Sequence, residues 1–118
     1  MILYHFTSDT GHAAINRAGE LHPRLHYVLG QHLLWLTDQP APKARELGLT
    51  RRRNQHDRMA HRIEVNTTVA VPWAEIRDQF TDWEISTLEG APGANPTVWF
   101  VSREPIPLNA TPTESTTT

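Results

Sequence analysis

The sequence predicts an α+β fold: a single domain whose mixed, mostly antiparallel sheet is interleaved with short helices. Apolar runs of strand length alternate with short helical patterns, without the regular βαβ spacing of a parallel sheet. No glycine fingerprint follows any of these runs and no Walker motif is present, which argues against a Rossmann sheet and excludes a glycine-loop phosphate site. A length of 118 residues suits one core and one cleft.

The elements follow in order. Ile2 to Thr7 reads as a strand whose alternation puts Leu3, His5 and Thr7 on one face and Tyr4 and Phe6 on the other. Ser8-Asp9-Thr10-Gly11 caps a helix carrying Ala13, Ala14, Ile15 and Ala18, and Gly19 stops it. Glu20 to Pro23 exits in extended form, because a residue before proline is pushed out of the helical region. Arg24 to Gln31 reads as a loop turning at Gly30. Leu33 to Thr37 is apolar almost throughout and too short for a helix, which suits a buried central strand. After the break at Asp38 to Pro42, Lys43 to Leu47 makes a helical turn stopped by Gly48.

Arg51 to Arg58 is the most polar internal stretch, expected as a loop or exposed edge. Met59 to Val65 alternates as a strand, with Met59, His61, Ile63 and Val65 on one side. Pro72 opens a helix with Trp73, Ile76 and Phe80 on its inner stripe, and a second helix spans Asp82 to Leu88. Gly90 to Pro96 is a loop and Thr97 to Ser102 a strand, ended by Pro105 and Pro107. The domain therefore runs over 1–108. The Thr-rich 109–118 has no apolar pattern to order it and is expected to be a disordered tail.

Composition narrows the chemistry. With a net charge of −2 and a pI near 6.4, the chain has no global basic field, so any nucleic-acid contact must be local. The absence of cysteine removes disulfides, thiolate catalysis and Cys-ligated zinc. No apolar run approaches the ~20 residues of a membrane helix, and no signal-peptide pattern opens the chain, so a soluble cytoplasmic protein without membrane partners is expected. The seven histidines do not fall into metal-binding spacings. His22 and His26 are interrupted by Pro23, His56 and His61 straddle a loop, and no metal is expected. Ser8, Ser86 and Ser102 lack a nucleophile-elbow context. Arg51, Arg52 and Arg53 could clamp a phosphate bidentately, although a surface charge run is more often simply solvated.

The order of features from Leu3 to Lys43 resembles the ADP-ribosyltransferase superfamily, including its DNA- and RNA-modifying branches and the RNA 2′-phosphotransferases. The resemblance rests on Leu3-Tyr4-His5-Phe6-Thr7, the Gly19-Glu20-Leu21 step, Gly30, Leu34-Trp35-Leu36-Thr37-Asp38 and Lys43. It implies a sheet split around a nucleotide cleft and NAD as cofactor. His5 would hydrogen-bond the nicotinamide-side ribose, Thr7 would be the small hydroxyl residue two positions on, and Trp35 would replace the tyrosine that stacks on nicotinamide.

Arg51, Arg52, Arg53 and Arg58 are the implied pyrophosphate ligands. The resemblance also calls for a glutamate at the start of a late strand, but Asn95, Pro96 and Thr97 stand there. Glu64, Glu89 and Glu104 are the substitutes, each also readable as a surface carboxylate. Alternatively, Arg17, Arg58 and Arg62 serve as in the 2′-phosphotransferases. The implied activity is transfer of ADP-ribose to a nucleic-acid or protein acceptor. A non-catalytic NAD or ADP-ribose binding module, and a protein-interaction domain using Trp73, Trp83 and Trp99, are the other expectations.

Overall fold

In the computed structural model, which describes residues 1–48 and 58–108, the N-terminal alternation forms β1 (Ile2–Thr7) and the capped segment forms α1 (Asp9–Ala18). Ser8 Oγ accepts the Gly11 N–H at 3.2 Å, and Gly19 closes the helix at φ 74°. Then come β2 (Glu20–Leu21), β3 (Arg24–His26), β4 (Gln31–Thr37), β5 (His61–Asn66), β6 (Val71–Pro72), α2 (Trp73–Ile76), α3 (Asp82–Glu89), β7 (Trp99–Ser102) and β8 (Ile106–Pro107). The main sheet runs β5-β1-β4-β7-β6 with β3 also on β4, and β2 and β8 form a separate ribbon. Every pairing among the described residues is antiparallel.

Four corrections to the expected elements have local causes. Arg24 to Gln31 is not a plain loop: β3 pairs with β4 from Arg24↔Leu33 to His26↔Gln31, and Gly30 N–H closes the turn on the His26 carbonyl. The strand expected from Thr97 begins at Trp99, because Pro96–Val98 forms a 3₁₀ turn, with Val98 N–H bonded to the Asn95 carbonyl. The strand expected from Met59 begins at His61, after a turn at 58–60. The helix opened by Pro72 lasts one turn and tightens to 3₁₀ at Arg77–Gln79, where the Arg77 side chain is drawn to Glu89 of α3. The Arg51–Asp57 segment and the 109–118 tail lie outside the described residues.

Apolar groups cover both faces of the sheet. On one face, Leu34 and Leu36 of β4 join Leu3, Val65 and Phe100, covered by Ile15 of α1, Leu21 and Ile106. On the other, Leu33 of β4 meets Val101 and Trp99 of β7 with Trp73, Ile76, Phe80 and Leu29, and Trp35 packs against them. This two-sided burial explains the unbroken apolar run in β4, since each such side chain contributes about 1.5–3 kcal/mol when taken from water. The second cluster is anchored by polar bonds. Glu89 accepts Trp73 Nε1–H at 2.6 Å and a bidentate pair from Arg77 at 2.9 Å, while Trp99 Nε1–H donates to the Glu46 carbonyl at 2.7 Å.

One small residue fixes how α1 meets β1. A Cβ at Gly11 would collide with Thr7 Oγ1. Gly11→Ala is therefore expected to lower stability by about 1–3 kcal/mol, although alanine is the better helix former, and Thr7→Ala in the same chain should recover most of the loss. Urea denaturation of the two single variants and the double variant checks this.

Candidate functional site

β1 leaves β4 early. The two strands pair only at Tyr4↔Thr37, whereas β3 takes the other end of β4. His5 stands at the point of divergence, half-buried, and its Nδ1 lies 2.8 Å from the Trp35 carbonyl oxygen. A carbonyl only accepts, so Nδ1 carries the proton and Nε2 of the neutral ring presents a lone pair. No fully buried side-chain nitrogen or oxygen among the described residues lacks a partner, and Nε2 has none, so it is not fully buried. Burial pushes the His5 pKa down; the Trp35 carbonyl opposes this, and the nearby Arg24 charge adds to the depression. The site thus holds a neutral imidazole in one tautomer with an unpaired acceptor atom.

Trp35 meets His5 through its backbone. Its indole projects to the second core face, 5.5 Å from the Trp73 ring and 5.8 Å from those of Trp99 and His26, whereas Leu3, on the His5 side of β1, packs in the first. Within this aromatic group Trp73 and Trp99 have their N–H groups paired. Trp35 does not, and since it is only half-buried its N–H is open. Trp35 is therefore the indole of this cluster with a donor to offer a ligand. Trp83, by contrast, stands 67% exposed on α3, away from the packed pair.

The remaining expected residues are distributed as follows. Thr7 ends β1 opposite His61. Glu64 pairs with Tyr4, on the face of β5 turned away from His5, and is exposed. Glu89 is engaged by Trp73 and Arg77, which hold its carboxyl below its ordinary range through hydrogen bonds and charge, against a smaller opposing effect of burial. Glu104 is exposed in the turn after β7, where its backbone bonds Ser102 Oγ. Arg62 donates to the Pro40 carbonyl at 2.9 Å and lies 5.2 Å from the Tyr4 ring centre. Arg17 and Arg58 are exposed. Arg51, Arg52 and Arg53 lie outside the described residues.

Two features escaped sequence reasoning. Arg24, the cation whose charge is felt at His5, is brought there by β3, a strand with no alternation long enough to read. Asp9, His12 and His61 gather at the end of β1: His61 Nε2 lies 2.6 Å from Asp9 Oδ1, and the His12 and His61 rings stack at 4.0 Å and 7°. A signal for His61 existed, since it alternates with Ile63 and Val65 on the inner side of β5. No group of three His, Asp or Glu side chains among the described residues is arranged to hold a metal. A groove lined by Arg77, Asp78, Asp82, Ser86 and Glu89 opens between the turn after α2 and α3, away from His5.

The depressed His5 pKa makes a stability statement. Below the unfolded-state value near 6.5, the unfolded chain binds a proton that the folded ring resists, so stability is full above that pH and falls as the pH drops through it toward the folded pKa. His5→Asn, whose amide N–H can still reach the Trp35 carbonyl, is expected to flatten this part of the melting-temperature profile between pH 7 and pH 5, roughly the titration window of imidazole. Thermal melts of both chains across that range check it.

Comparison with protein-family models, curated proteins and solved structures finds no match.

Proposed function

We propose that this chain is an ADP-ribosyltransferase-type domain, its antiparallel sheet divided at the β1–β4 fork around a nucleotide cleft, that binds NAD and transfers ADP-ribose to a nucleic-acid or protein acceptor. The observation that carries the reading is His5, fixed by the Trp35 carbonyl with Nε2 left unpaired as an acceptor. A sugar hydroxyl is the natural donor to such an atom, and a neutral ring at neutral pH keeps the acceptor available. Arg24 offers a guanidinium near His5 for phosphate oxygens, whereas the Trp35 indole lies with the other core cluster and does not share this grip. These residue types fit NAD. NAD, when bound, supplies an activated glycosidic bond with nicotinamide as leaving group. The protein's part is to grip the ribose at His5 and to hold the phosphates at arginine.

A second reading, a nucleotide-binding module without turnover, is favoured by the carboxylates. Glu64 faces away from His5, Glu89 is held by Trp73 and Arg77, and Glu104 sits in an exposed turn.

Nicotinamide release and thermal shift with NAD separate the two. An active transferase releases nicotinamide, and His5→Ala is expected to reduce the rate about 100-fold, the scale of losing one positioned hydrogen bond at the reacting sugar. Stabilisation by NAD without release assigns the binding module. Neither release nor stabilisation rejects the nucleotide reading.

A further inference from the structure

We propose that the free edge of β5 pairs antiparallel with the same strand of a second copy of this chain, centred on Ile63, so that Arg62 of each copy meets Glu64 of the other. This surface goes beyond the nucleotide reading and does not depend on it. β5 closes the main sheet at one end, and among the described residues it pairs with β1 alone. At six residues it is long enough to receive another strand through its backbone.

The register of β5 on β1 shows which backbone groups are left over. Thr67 N–H bonds the Met1 carbonyl at 2.9 Å, one step beyond Ile2↔Asn66, so the pairs that exchange hydrogen bonds with β1 lie at the odd positions of β5. The amide and carbonyl groups of Arg62, Glu64 and Asn66 therefore point away from β1, along the free edge. Water or another strand must satisfy them.

The side chains select a second copy and fix its register. A two-fold axis normal to the sheet sets residues of the same face opposite each other, so the strand can meet its copy centred on Arg62, on Ile63 or on Glu64. Centring on Arg62 opposes two guanidinium groups and centring on Glu64 opposes two carboxylates, and like charges directly opposite destabilise a sheet. Centring on Ile63 instead opposes Arg62 and Glu64 at both symmetric positions. In that register the Arg62–Glu64 pairs are also the ones whose backbones exchange hydrogen bonds. Ile63, half-buried, meets its counterpart at the close, non-hydrogen-bonded position, about 4.5 Å between Cα atoms, where apolar side chains touch.

Both charged side chains are free to make this contact. α1 packs on the other face, through Ile15 against Leu3 and Val65 and through His12 against His61, and leaves Arg62 and Glu64 exposed. Arg62 Nη1 donates to the Pro40 carbonyl at 2.9 Å and the guanidinium carbon lies 5.2 Å from the Tyr4 ring centre, which steadies the fork and leaves its remaining donors for a carboxylate. Among the described residues the Glu64 carboxylate has no ion-pair partner.

Sedimentation of the full chain over a concentration series reaching about 1 mM, the weak end of specific association, should show a monomer–dimer equilibrium. Arg62→Glu and Glu64→Arg place like charges opposite at both pairs, and each is expected to raise the dissociation constant about tenfold. Mixing the two variants should restore a dimer of near-parental affinity, and so should Arg62→Glu with Glu64→Arg in one chain, because opposite charges meet again. In the parent chain, amide exchange at Arg62 and Glu64 should slow as the concentration rises, whereas Ile63, bonded to β1, is already slow in the monomer. Should a reversal variant fail to melt cooperatively, this exchange pattern decides by itself. A monomer at every concentration overturns the inference. A dimer that neither charge reversal weakens lies on another face and overturns it too. Slow Arg62 and Glu64 amides in a monomeric sample assign the edge to another part of the same chain, with the same consequence.

Discussion

β4 is held by apolar side chains on both of its faces, and three other strands take their positions from it. Leu34 and Leu36 enter one core cluster while Leu33 and Trp35 enter the other, so the strand cannot slip by one residue without exchanging the two sets. β1, β3 and β7 all pair to it, at different points along its length. Because β1 touches it at a single position, the sheet opens beyond Tyr4, and the Trp35 carbonyl at that opening is satisfied by a side chain, His5 Nδ1. The candidate site is thus a consequence of how a strand packed on both faces disposes of one backbone acceptor.

The same economy of polar groups runs through the second core cluster. Three indoles and a phenyl ring are packed together, and burying an indole N–H without a partner is costly. Glu89 and the Glu46 carbonyl answer for Trp73 and Trp99. Trp35 stands at the margin, where solvent can answer instead. That difference in hydrogen bonding, more than ring proximity, separates an indole able to meet a ligand from two that belong to the structure. It also removes Glu89 from consideration as a reacting carboxylate, since Trp73 and Arg77 already occupy it.

Much of this was readable in the residues. The alternation of β1, the Ser8 cap, the Gly19 stop, the apolar run of β4 and the helix over Asp82 are local patterns, and each appears as an element near the expected place. His5 and Trp35 were legible as residues of interest because one interrupts an apolar alternation and the other centres a buried run. Their relation was not. The resemblance set His5 on a ribose and Trp35 on its nicotinamide, whereas the geometry joins the His5 ring to the Trp35 backbone carbonyl. Short strands such as β3 and β6 escaped notice because two or three residues carry no period, and they exist only through pairing with β4 and β7.

By itself the sequence determined an α+β domain, the core positions of its longer strands, and the lack of any thiol chemistry, because periodicity, capping and composition act over a few neighbouring residues. The tertiary structure decided which polar groups meet. His61 and Asp9 are separated by 52 positions, and the Arg24 charge reaches His5 only because β3 and β1 share β4. Such encounters depend on strand register and helix packing, which arise when the whole apolar surface is buried at once, and no local pattern encodes them.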